Sequence, residues 1–149
     1  MVQVNTTNNP FQPGFRLFDG SQMNAVQAAD VTSAADGIVA STVQTRLGGT
    51  DIVQQYNRVS AANASDAVTL CGQPGTQGSI LPQAGMSFVV KNVGGQTIQV
   101  FPPGPSDTID GGAAGAAVNL GNAKTGLYYC TAVIGSVATW NSASMAVST

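Results

Sequence analysis

The stretch MSFVVKNVGGQTIQVFPPGPSDTIDGG, residues 86–112, decides the fold. Two alternating apolar runs flank Gly94-Gly95, and a Pro/Gly-rich corner follows. Such a pair between such runs is a hairpin signal, because a primed turn needs positive φ and glycine adopts it freely. With both glycines at the turn centre, Val93 faces Gln96, Lys91 faces Ile98 and Val89 faces Val100. Asn92 then opposes Thr97, Val90 opposes Gln99, and Phe88 opposes Phe101 as an aromatic cross-strand pair. Both faces of this hairpin carry apolar side chains. A cover on each side is therefore expected, from a second sheet or from another subunit.

The rest of the chain continues the β pattern. Residues 37–45 (GIVASTVQT) and 52–60 (IVQQYNRVS) are strand-like, the second placing Gln54, Tyr56 and Arg58 on one face. Residues 66–71 (DAVTLC) alternate, and 72–85 form a long Gly/Gln/Pro loop. After the hairpin, Pro102, Pro103 and Pro105 block further ladder bonding. Residues 107–112, 116–120, 125–134 (TGLYYCTAVI) and 137–142 (VATWNS) complete the series, with turns between them. Turns recurring at this spacing predict an antiparallel β-sandwich or a jelly-roll-like domain. Upstream, residues 1–14 are polar with Pro10 and Pro13, which predicts an extended arm or a frayed end. Residues 15–18 are an apolar cluster, and 19–29 predict one short helix capped by Asp19 or Ser21. The expected organisation is an arm over 1–18, then 19–56 with the helix and first strands, forming one compact unit with the β-domain at 57–149.

Composition bounds the function. The chain has 149 residues, enough for one domain with a core. Apolar residues make up 43%, so a folded chain is expected, yet charged residues are only 8% where about 25% is usual. The cations are Arg16, Arg46, Arg58, Lys91 and Lys124; every anion is Asp, and there is no His. A surface of Ser, Thr, Asn, Gln, Gly and Ala has few charges to desolvate and little side-chain entropy to lose on meeting a partner. That favours lasting protein–protein contact over a monomeric β-domain. Net charge −2 with scattered cations argues against nucleic acid. No apolar run of about 18 residues exists to suggest a membrane span. The first residues lack the basic and apolar segments of a signal peptide, so synthesis in a cytoplasm is expected and the sequons at Asn5 and Asn63 are read as accidental.

Catalytic chemistry is weakly represented. Without His the usual general base near neutral pH is missing. Asp107 and Asp110 are a possible carboxylate pair or Ca²⁺ site, but both read as turn residues, Asp110 preceding Gly111, whose side chains bond nearby backbone N–H groups. Cys71 and Cys130 lack metal-ligand spacing and are read as reduced, buried hydrophobes rather than a disulfide. Tyr56, Tyr128, Tyr129 and Trp140 either line a carbohydrate groove or pack in a core or subunit interface. Tyr128 and Tyr129 are adjacent, so in a strand only one can serve a given groove. No catalytic, cofactor-binding or metal-binding residue is expected.

The series Asn57-Arg58-Val59-Ser60, Asp66-Ala67-Val68-Thr69-Leu70, residues 87–94 (SFVVKNVG), 97–102 (TIQVFP), 107–111 (DTIDG) and the aromatic strand at 128–131 resembles the small structural proteins of tailed-bacteriophage virions. It is most similar to capsid decoration, or cement, proteins, and residues 15–25 resemble their entry segment. The likeness covers about two thirds of the chain and consists of turn and strand patterns; the 72–82 loop is longer than that pattern. The resemblance implies a β-sandwich or jelly-roll-like domain that sits as a dimer or trimer on the outer capsid and braces neighbouring major capsid subunits. The expectation is then a non-enzymatic virion protein, made in the host bacterial cytoplasm, with the major capsid protein and itself as partners. Pro10, Phe11, Pro13, Phe15, Arg16 and Phe18 are the expected capsid contacts, and Tyr128 and Trp140 the expected oligomer interface. The alternative is a head-fibre or tail-fibre receptor-binding module. A cellular enzyme or lectin-like domain ranks below both.

Overall fold

The computed structural model describes residues 38–145 apart from Gln73, Thr76 and Gln77. These residues are mainly β and hold no helix. In chain order the strands are β1 (Ile38–Val39), β2 (Thr50–Ile52), β3 (Tyr56–Ser60), β4 (Ala67–Leu70), β5 (Ser87–Asn92), β6 (Ile98–Phe101), β7 (Thr108–Ile109), β8 (Val118–Leu120), β9 (Thr125–Ile134) and β10 (Val137–Met145). They form two sheets, ordered β1-β3-β5-β9-β10-β7 and β2-β4-β6-β8. The expected arm and short helix lie outside the described residues. Of the strand expected over 37–45, only β1 forms; turns occupy the chain from there to β2.

The first six strands alternate between the sheets, and each returns parallel to the strand two before it. Ile38 pairs with Val59 and Tyr56 with Val89 in the larger sheet. Thr50 pairs with Val68 and Ala67 with Gln99 in the smaller one. The chain therefore winds around a shared core. The 72–85 loop lengthens the second pass. Only from β8 onward do antiparallel neighbours dominate, β8 against β6 and β9 against both β5 and β10. The expected antiparallel sheets are thus replaced by two mixed ones.

This winding overturns the hairpin. β5 and β6 lie in different sheets, Phe88 beside Tyr128 in one and Phe101 beside Thr69 in the other, so the Phe88–Phe101 pair does not form. The reason is the phase of the apolar residues. Phe88, Val90, Ile98 and Val100 are all buried. A two-residue hairpin would put Phe88 and Val90 on one face and Ile98 and Val100 on the other. Arching the chain from one sheet to the other turns all four toward one core. That core joins Val59, Phe88, Val90, Tyr128, Cys130 and Trp140 of the larger sheet to Ile52, Val68, Leu70, Ile98, Val100 and Leu120 of the smaller.

Asn92 fastens the arch. It is fully buried, and its Nδ2 donates to the carbonyls of Gln96 (2.6 Å), Leu120 (3.0 Å) and Gly121 (3.1 Å). Its Oδ1 accepts the Gly94 N–H at 3.1 Å. One side chain thereby joins the end of β5, the connection to β6 and the end of β8. Asp107 acts likewise ahead of β7, accepting the Gly104 N–H and the Ala138 N–H at 2.7 Å each.

Candidate interaction face

Among the described residues the two sheets are not equally covered. The outer side of the smaller sheet is overlaid by the 41–49 segment. Ser41 bridges Ala67, and Thr69 Oγ1 donates to the Arg46 carbonyl at 2.7 Å. Gly49 comes so near that a Cβ there would stand 2.5 Å from Thr69 Oγ1. Every residue of β4 is buried as a result.

The outer side of the larger sheet carries no such segment among the described residues. The strand register sets its side chains in rows. Tyr56, Val89, Leu127 and Ala143 make one row across four strands. Arg58, Lys91, Thr125 and Met145 make the next, and Ser87, Tyr129 and Asn141 flank the first on its other side. Tyr56 is 38% exposed, Tyr129 39% and Met145 44%. An apolar band with aromatics at two places is thus presented outward, next to two cations.

The described carboxylates lie elsewhere. Asp66 Oδ2 accepts the N–H groups of Ala62 and Asn63 at 2.9 Å each. Asp107 holds Gly104 and Ala138, as above. Asp110 accepts the Ser142 N–H and Oγ–H, both at 2.6 Å. Asp107 and Asp110 thus act on the backbone, as favoured over a carboxylate pair, and their bonds to Ala138 and Ser142 fix β7 and its turn to β10. Among the described residues the outer face has no carboxylate; Arg58 and Lys91 lie along its edge, with Lys91 Nζ donating to the Ala123 carbonyl at 2.8 Å.

The expected site residues are distributed differently. Pro10, Phe11, Pro13, Phe15, Arg16 and Phe18 lie outside the described residues. Tyr128 and Trp140 are 2% and 0% exposed, covered by this chain's own side chains. Trp140 lies 5.9 Å from Phe88, ring centre to ring centre, and a Cβ at residue 126 would stand 2.8 Å from the Tyr128 ring. Strand alternation places Tyr128 inward and Tyr129 outward, so Tyr129 is the member of the pair available to a partner. Cys71 and Cys130 are both free thiols in the core, with Cys71 Sγ 3.7 Å from Met86 Sδ. Burial pushes both thiols up from 9.0, and it pushes the Tyr128 phenol up from 10.0 with help from the nearby Asp110 charge. These groups stay protonated and unreactive near neutral pH.

Sequence reasoning had placed Tyr56 and Arg58 on one face of a strand, which is half of this surface. It missed the other half because Val89, Leu127 and Ala143 join Tyr56 only through long-range pairing. No family model, curated protein or solved structure matched this chain when compared. Fold and surface chemistry therefore carry the functional argument.

Proposed function

We propose that this is a non-enzymatic virion structural protein that decorates the outside of a tailed-phage capsid and cements neighbouring major capsid subunits. The two sheets act as a β-sandwich-like brace, and the outer face of the larger sheet is the seat on the lattice. The observation that carries the reading is the open row Tyr56–Val89–Leu127–Ala143, edged by Arg58 and Lys91. Such a face loses free energy to water when exposed and gains by being covered. The Lys91 charge on that edge favours a partner whose matching surface is acidic. Binding only to the assembled lattice would stabilise that lattice by mass action. The low charge and the resemblance to cement proteins point the same way. The expected dimer or trimer is retained, with Tyr129 rather than Tyr128 or Trp140 available to it.

The test is antibody labelling of purified virions viewed by electron microscopy, with wild type and Leu127→Asp. Even label over the head, lost in the variant, is the expected result. Label confined to the tail or one vertex would move the protein to the receptor-binding class, and no label on intact virions would remove it from the particle.

A further inference from the structure

The larger sheet extends past the smaller one. The smaller sheet ends at β8, whereas the larger continues through β9 and β10 to β7. The inward positions of β10 record this change of cover. Ala138 and Trp140 are buried in the core, but the next two inward positions are Ser142 and Ser144. They pair with Tyr128 and Gly126 of β9. A cavity of about 210 Å³ lies there, between these strands, β8 and the Asp110 turn. At about 30 Å³ per water it has the volume of roughly seven waters, which suits one sugar-sized ring and nothing much larger.

Its lining is chemically mixed in a specific way. The Asp110 carboxylate holds Ser142 with one bond to each oxygen, and each oxygen keeps a further lone pair. Tyr128, only 2% exposed, lines the same wall. Gly126 makes this possible, since a Cβ there would stand 2.9 Å from the Tyr128 hydroxyl. Asn119 and Lys124 stand exposed at the mouth with Ser144. Val118 and Leu120 supply apolar wall. Asp110 is itself held at φ 55°, a left-handed conformation uncommon outside glycine.

We propose that this open end of the sheet pair binds one pyranose unit of a neutral glycan, with Asp110, Asn119, Lys124, Tyr128 and Ser144 as its polar contacts. The charge balance selects the class. Asp110 disfavours an anion and Lys124 disfavours a cation, and together they leave the cavity neutral. Sugar hydroxyls both donate and accept, which matches a wall holding acceptor lone pairs at Asp110, a phenol at Tyr128 and groups of both kinds at the mouth. The C–H face of the ring would meet Val118 and Leu120. The exposed mouth leaves room for the next sugar, so the ligand is a unit within a glycan rather than a free hexose.

The inference does not depend on the capsid reading, and its test is separate from virion labelling. The full chain, labelled with ¹⁵N, is titrated with methyl glycosides of glucose, galactose, mannose and N-acetylglucosamine, and with glucuronate and glucosamine as charged comparators. At least one neutral glycoside should shift the amides of Asn119, Gly126 and Ser144 saturably, with a dissociation constant of order 1 mM. Asn119→Ala and Ser144→Val change exposed side chains. Each should weaken binding about tenfold, one hydrogen bond's worth, while leaving the thermal midpoint unchanged. Three results would overturn the proposal: no saturable shift with any neutral glycoside, shifts that ignore both variants, or tighter binding of either charged sugar.

Discussion

Gly94 lies against the backbone that leaves β3. A Cβ at this position would stand 2.8 Å from the Ser60 carbonyl carbon and 2.9 Å from its Cα, and it would collide with the Ala61 nitrogen. Its neighbour Gly95 has φ +81° and open space around it. The two glycines of the decisive stretch thus have different reasons to be glycine: close approach for the first, backbone conformation for the second.

The distinction separates two folds experimentally. In a hairpin, Gly94→Asn would create the Asn-Gly pair that primed turns favour, and it would be neutral or stabilising. In the arched chain it should destabilise by about 3 kcal/mol, because the backbone it meets cannot step aside. Gly95→Asn should change stability by less than about 1 kcal/mol, since Asn tolerates the left-handed region. Denaturant melts of both variants, followed by the emission of the single tryptophan, Trp140, decide the matter.

The arch was in principle legible. Phe88 and Val90 alternate in one phase and Ile98 and Val100 in the other, relative to a two-residue turn. Buried on one side, they demand that the second strand leave the sheet. Gly-Gly drew attention to the turn, whereas the phase of the flanking residues held the answer. Strand positions at β4, β9 and β10 followed directly from alternation and β-branched content. Parallel stacking of β1, β3 and β5 did not, because nothing local in a short strand specifies which distant strand it meets. The outer face shared that limit, being assembled from residues of four strands.

Asn92 gives a second test of the arch. Asn92→Leu keeps the volume but strands the carbonyls of Gln96, Leu120 and Gly121 and the N–H of Gly94. At about 1–3 kcal/mol for each buried group left unpaired, and with some of them reaching water, a loss of about 3–4 kcal/mol is expected. A loss under about 1 kcal/mol in urea unfolding would mean that the arch is held by packing alone.

Alkaline pH should reveal the buried acids. In the unfolded chain the thiols of Cys71 and Cys130 ionise near 9.0 and the phenol of Tyr128 near 10.0, whereas folding raises all three. Between unfolded and folded values the native state binds the extra protons. Their contribution is therefore complete below about pH 9 and lost as pH rises beyond it, by up to about 1.4 kcal/mol per pH unit for each group. Thermal midpoints should be flat from pH 7 to about 8.5 and fall above it. Cys71→Ala should make that fall shallower, and iodoacetamide should label neither thiol of the folded chain at pH 8.

Leu127 and Val90 offer a contrast between assembly and folding. Both sit in the larger sheet, with Leu127 outward in the apolar row and Val90 inward and fully buried. Val90→Ala should lower stability by about 1–3 kcal/mol through the cavity it leaves, whatever the protein binds. Leu127→Asp places a charge where water already reaches, so stability should change by about 1 kcal/mol or less. Any association through this face should nevertheless weaken at least tenfold, because covering an unpaired carboxylate is costly. Sedimentation of both variants alone and with capsid lattice measures the two effects separately. If Leu127→Asp melts like wild type and still co-sediments with the lattice as wild type does, any contact is made elsewhere on the chain, and the role proposed for the outer sheet face is overturned.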